Sequence, residues 1–132
     1  MKITDYSFKK CERIVSQKEI DLLFSDKGSH SLVAFPVRAV YRITSNIKPQ
    51  TSNIKLLLSV PKKRFKHAVD RNRVKRQLRE AYRHHRHLLT DSMAEGLSLS
   101  IAFIWLTDAH FPSETVDHRV SSLLRRIAAK LH

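Results

Sequence analysis

The 132-residue chain has one cysteine, Cys11, and two glycines, Gly28 and Gly96. A lone thiol closes no internal disulfide and cannot supply the paired cysteines of a zinc ribbon or knuckle. This cysteine usage fits a reducing compartment, and a cytoplasmic protein is expected. Two distant glycines leave no glycine-rich loop to cradle the phosphates of a nucleotide. Long hydrophobic runs are also missing. The longest, Leu32 to Val37 and Ile101 to Leu106, have six residues each, against about 20 for a membrane span. The start, MKITDYSFKKCERIV, lacks the continuous apolar stretch of a signal peptide. Neither a membrane partner nor a secretory leader is therefore expected.

Acidic residues are scarce as well, 12 against 25 lysines and arginines. They are scattered, with no local pair spaced for two-metal or acid–base work, so no catalytic residue is expected on the protein. His84, His85 and His87 are crowded, but successive helical positions do not converge on one side and no HExxH pattern accompanies them. No protein-borne metal site is expected there.

What the chain has in excess is positive charge. Its formal net charge is +13 before any histidine is counted, beyond the roughly 2 to 8 units that suit a small soluble domain. Self-repulsion of that size favours a polyanionic partner. The length fits one domain spanning residues 1–132, able to bury roughly two thirds of its unfolded surface without a metal or disulfide.

Apolar periodicity supplies the elements. Ser16 and Glu19 have capping-box spacing ahead of Ile20, Leu22, Leu23 and Phe24, which predicts a first helix that stops at Gly28. Residues Leu32 to Ile43 alternate as a strand with Val33, Phe35, Val37, Ala39, Tyr41 and Ile43 on one face and Arg38 and Arg42 on the other. Pro36 marks an edge or an irregularity in it. Ile54 to Val60 and Leu97 to Leu106 read as further strands. Ser113 to Leu131 reads as an amphipathic helix through Val116, Val120, Leu123, Leu124, Ile127 and Leu131. Helices set against one small sheet predict an α+β class, a two-layer α/β sandwich.

The charge is concentrated in Lys62 to His87, KKRFKHAVDRNRVKRQLREAYRHHRH. Eleven lysines and arginines against two acids put nine of the thirteen net charges there. Asp70 is the expected N-cap of a helix beginning at Arg71. Helical spacing gathers Val74, Leu78, Ala81, Tyr82, His85, Leu88 and Leu89 on a packing face. The adjoining sector carries Asn72, Lys75, Arg76, Arg79, Arg83, Arg86 and His87, a stripe suited to tracking phosphates. Arginine outnumbers lysine in it, which favours bidentate phosphate contacts. Backbone contacts of this kind predict recognition of shape rather than of base sequence, and a structured RNA is the expected ligand.

Within this segment, AVDRNRVKRQLREAYR, Ala68 to Arg83, resembles the signature of the protein subunit of bacterial ribonuclease P: RNR, then KR, then REAYR. The preceding VPKKRFKHAV is similar to that family's strand end and basic loop, and RIVSQKEIDLLF, Arg13 to Phe24, to its first helix. The resemblance implies a left-handed βαβ crossover, against the general preference for the right hand. It also implies a subunit that joins a catalytic RNA and helps it remove the 5′ leader from precursor tRNA, with Mg²⁺ in the holoenzyme and no obligate protein partner. The implied contacts to the RNA subunit are Lys63, Arg64, Lys66, Arg71, Asn72, Arg73, Lys75, Arg76, Arg79 and Arg83. The implied leader contacts, in a cleft between the first helix and the sheet, are Arg13, Ile20, Phe24 and Tyr41. The sequence departs from the pattern where Ile20 replaces a frequent aromatic, where Arg64, Phe65, Lys66 and His67 fill a turn that usually holds glycine, and where Leu106 and Thr107 follow the late strand in place of an arginine. A non-enzymatic ribosomal or RNA-chaperone protein is the alternative reading.

Overall fold

Alternating apolar residues build a four-stranded sheet from β1 (Ser29–Ala34), β2 (Val37–Ser45), β3 (Asn53–Ser59) and β4 (Leu97–Trp105). The structure, a computed structural model, describes residues 21, 23–24, 28–45, 53–91 and 97–131. The strand order is β1-β2-β4-β3, antiparallel except for the parallel pair β3 and β4. Between those two parallel strands the chain runs through α1 (Ala68–His85) and the one-turn α2 (His87–Thr90). A βαβ unit therefore carries the basic segment. Helix α3 (Ser113–Leu131) closes the fold, with the bounds that its apolar spacing predicts.

The alternation expected over Leu32 to Ile43 is interrupted. Phe35 and Pro36 form the turn of a hairpin in which Ala34 pairs with Val37. The proline, unable to donate to a ladder, marks the reversal rather than an edge irregularity. Reversal changes which residues share a face. Val37, Ala39 and Tyr41 are buried, whereas Val33 and Phe35 are exposed and Leu32 and Ala34 pack on the core in their place.

One face of the sheet, with Leu56, Leu99, Ile101, Phe103 and Trp105, packs on Val74, Leu78, Ala81 and Tyr82 of α1 and on Val120, Leu124 and Ile127 of α3. Each Val, Leu, Ile or Phe side chain among them, fully buried, stabilises the fold by about 1.5 to 3 kcal/mol relative to exposure. The other face has a smaller apolar patch, where Leu23 covers Val40 and Ala102 with Leu57 and Ile104 beside them. Asp21, Leu23 and Phe24 are helical. The rest of the expected first helix, including Ser16, Glu19 and Ile20, and the arm with Cys11 and Arg13, lies outside the described residues.

Helix α1 begins three residues before its expected start. His67, extended at φ −94° and ψ 136°, is the N-cap, and no side chain caps the helix there. Asp70 therefore sits inside the first turn, still favourable to the positive end of the helix dipole. Its carboxylate is within 3.1 Å of His110 Nε2, across 40 residues of sequence. Periodicity cannot reveal a bond of that separation.

Candidate RNA-binding surface

The basic segment is displayed by a loop and a helix that are both tied to the core. Val60 and Phe65 are buried and anchor the two ends of the loop after β3. Between them Arg64 N donates to Pro61 O at 3.0 Å, closing a turn that leaves Lys62 and Lys63 exposed. Of the four residues Arg64 to His67 that fill this turn, Phe65 faces inward, so part of the loop's bulk is taken up by the core. The His110 ring stacks on Phe65 with centroids 4.6 Å apart and planes 19° apart. The loop is consequently fixed to both α1 and the segment after β4.

Basic and polar side chains of the loop and of α1 divide into two kinds. Arg71 Nη1 donates to Phe65 O at 2.8 Å and to Lys66 O at 3.2 Å, folding the loop against the helix start. Arg64 lies 3.6 Å from the Asp108 carboxylate, and Arg83 is paired with Glu80 at 2.7 Å, one helical turn away. These three arginines hold parts of the protein as well as adding charge. Asn72, Arg73, Arg76, Lys63 and Lys66 are exposed, while Lys75 and Arg79 are half-buried. The exposed set opposes the buried Val74, Leu78 and Ala81 on the helix, so packing against the sheet directs the cations outward. The structure brings the ten expected RNA-subunit residues together on one loop and one helix.

Gln77 is a buried polar residue that the apolar template omits. Its Nε2 donates to Phe111 O at 2.9 Å and Ser113 Oγ at 3.1 Å, joining α1 to the start of α3. Farther along the same seam Asp117 accepts hydrogen bonds from His85 Nε2 at 2.8 Å and His84 Nδ1 at 3.3 Å. Burial of Asp117 works to raise its pKa, but the hydrogen bonds from both histidines and their charge outweigh that and hold the carboxyl below its ordinary value. His84 and His85 are thus seam residues, and their side chains are committed to an acid rather than to phosphate.

The expected leader contacts are not all on one surface. Phe24, 45% exposed, lines a depression of about 130 Å³ with Leu23, Ser31, Arg38 and Val40 on the sheet face away from α1 and α3. Arg38 Nε donates to Ser31 Oγ at 2.8 Å across the floor of this depression. Tyr41 follows Val40 in β2 and therefore points to the opposite face, where it is 2% exposed in the main core and burial pushes its phenol pKa up. It offers no ring to a strand lying beside Phe24, so Tyr41 is corrected to a core residue. Arg13 and Ile20 lie outside the described residues. Arg38 was the overlooked member of this surface, and its signal was the strand alternation that placed it opposite the core.

Among the described residues no group of three or more His, Cys, Asp or Glu side chains could hold a metal ion. No helix among these residues is long and apolar enough to cross a membrane.

Comparison with known proteins agrees with this geometry. The ribonuclease P family model matches residues 8–128. A ribonuclease P protein component of Porphyromonas gingivalis is 39% identical over 127 residues, covering 96% of this chain and 90% of its own. One from Chlorobium phaeobacteroides is 32% identical, covering 92% of this chain and 88% of its own. The RNase P protein of Thermotoga maritima has the same fold, with a TM-score of 0.62 at 23% identity over 87% of this chain and 96% of its own. A Staphylococcus aureus RNase P protein mutant gives 0.67 at 22% identity over 89% of each chain. With relatives this similar along nearly its whole length, and the RNR-KR run displayed on an outward helix face, the chain belongs to the ribonuclease P protein family.

Proposed function

We propose that this chain is the protein subunit of a ribonuclease P ribonucleoprotein and assists a catalytic RNA in removing the 5′ leader from precursor tRNA. The observation that carries this reading is the outward face of α1, with Asn72, Arg73 and Arg76 exposed and the half-buried Lys75 and Arg79 beside them, on the segment that has the family's signature. Family membership disfavours the alternative of a non-enzymatic ribosomal or RNA-chaperone protein.

In this reading the RNA subunit docks on α1 and the loop before it. Lys63, Lys66, Asn72, Arg73 and Arg76 meet phosphates directly, and Lys75 and Arg79 flank them. Arg64, Arg71 and Arg83 position the loop and helix through their protein partners and add to the field. Cations fixed on a rigid helix reduce phosphate repulsion when two RNAs are brought together. The 5′ leader lies on the opposite sheet face, against Phe24 and Arg38, with Arg13 and Ile20 added on resemblance alone. An exposed aromatic accepts a base of any sequence by stacking, which suits leaders of differing sequence. Mg²⁺, the expected cofactor, would be held by RNA, since the protein's acids are dispersed or paired with its own histidines. The protein then contributes binding and orientation rather than a nucleophile, in a reducing cytoplasm.

The test is to measure binding of precursor tRNA and of leaderless tRNA by the RNA subunit, with and without this protein. The protein should tighten binding of the leader-bearing form more than that of the leaderless one. Equal tightening of both would contradict a leader-binding role.

A further inference from the structure

The turn between β1 and β2 lies at the same end of the sheet as the start of α1. Val37 pairs with Trp105, Ser59 pairs with Ile104, and Leu106 N donates to Pro36 O at 2.9 Å. This end therefore gathers the hairpin turn, the loop after β3 and the loop after β4. At the turn Phe35 is 55% exposed. Its ring meets Phe111 edge-on with centroids 6.1 Å apart, and Phe111 meets the buried Trp105 in the same manner at 5.9 Å. An exposed ring is thus backed by a row of aromatics that reaches the core.

Two arginines of α3 flank it. Arg119 Nε donates to Phe35 O at 3.1 Å and Arg126 Nη1 to Val33 O at 2.9 Å. Each bond uses one of a guanidinium's five N–H groups, so both remain able to donate to phosphate. Arg125 and Lys130 are exposed farther along the helix, and the acids of α3, Glu114 and Asp117, are confined to its start. Capping of one carbonyl on the open edge of β1 and one in the turn accounts for Arg126 and Arg119. It does not account for the exposed ring or for the cations beyond them.

We infer that Phe35 and the arginines of α3 form a second contact for the RNA subunit, in which an unpaired base stacks on Phe35 and neighbouring phosphates lie against Arg119, Arg125 and Arg126. This rests on the reading of α1 as that RNA's docking face. The two contacts are continuous through the loop after β4, in which His110 reaches Asp70 of α1 and Phe111 reaches Phe35. The depression beside Phe24 lies on the other face of the sheet, which assigns the strand on α3 to the RNA subunit rather than to the leader.

The experiment tethers an iron chelate to single cysteines in the full chain carrying Cys11→Ser, at Ala129→Cys on the exposed face of α3 and at Val69→Cys, 79% exposed at the start of α1. Hydroxyl-radical cleavage is then mapped on both RNAs in the assembled complex. Cuts in the RNA subunit from both tethers, at separate nucleotides, are expected. Cuts in that RNA from Val69→Cys alone, or cuts from Ala129→Cys only in precursor tRNA, would overturn the inference and leave the α1 reading intact. No cuts from Val69→Cys in a complex that still forms would overturn that reading itself. In parallel, Phe35→Ala and Phe35→Leu should each weaken binding of the RNA subunit by about tenfold, within the range for loss of one base stack. Phe35→Trp should keep the affinity. Wild-type affinity in Phe35→Leu, which retains apolar packing against Phe111 without an aromatic face, would exclude stacking.

Discussion

Replacing Arg73 and Arg76 by alanine removes two exposed cations from α1 without touching its packing face. Neither guanidinium takes part in the bonds that hold the loop, a task that falls to Arg71. The cost to folding should therefore stay within about 0.5 kcal/mol, as for other surface substitutions. The cost to RNA binding is larger. A hydrogen bond to a charged group contributes about 1.5 to 3 kcal/mol, so two lost phosphate contacts correspond to a roughly hundredfold or greater rise in Kd. Each contact also releases counterions, and the plot of log K against log salt should become shallower by about 0.7 to 0.9 per arginine. Filter binding of the RNA subunit over a salt series, with thermal melts of each protein, measures both effects. Arg71→Ala provides the contrast, since losing its bonds to Phe65 O and Lys66 O should lower the melting temperature as well. A double variant whose salt plot runs parallel to that of the wild type would refute the assignment of these side chains to phosphates.

Phe24→Ala should change stability by less than about 1 kcal/mol, because the ring is 45% exposed. It should also reduce the preference for leader-bearing over leaderless tRNA, and an unchanged preference with an unchanged melt would remove Phe24 from the leader surface. Leu78→Ala, at a position with no exposure between α1 and the sheet, should cost about 2 to 5 kcal/mol in urea denaturation; a loss below about 1 kcal/mol would contradict the packing described. Asp117→Asn should destabilise the seam between α1 and α3. The Asp117 carboxyl is held below its ordinary value, so its contribution is fully present above the pKa of a free carboxylate and lost as pH falls through the lower folded pKa. Melts of wild type and variant should converge as acid is added through that window, and a gap persisting below it would rule out the carboxylate as the cause.

Local chemistry made most of the fold legible. The helical period of Ser113 to Leu131 gave both ends of α3, and alternation in Leu97 to Leu106 gave β4 to within one residue of its end at Trp105. The hairpin was missed because period two continues across Phe35 and Pro36 as though the chain kept its direction, and only pairing in space shows the reversal. For the site, charge density located α1 and its outward face. Charge does not reveal which arginines are held by the protein. Arg71, Arg64 and Arg83 look like their neighbours in sequence, and their partners include a backbone carbonyl and an acid 44 residues away. Tyr41 shows the converse failure. An aromatic in a strand fits a core or a binding cleft equally well until the face is known, and here its face is the one covered by α1 and α3.

The most direct test of the central claim is Mg²⁺-dependent cleavage of a 5′-extended precursor tRNA by bacterial ribonuclease P RNA, with and without this protein, at modest salt and low Mg²⁺. Marked stimulation at the mature 5′ end, with no cleavage by the protein alone, is the predicted result. A folded, RNA-binding preparation that gives no stimulation would contradict the account.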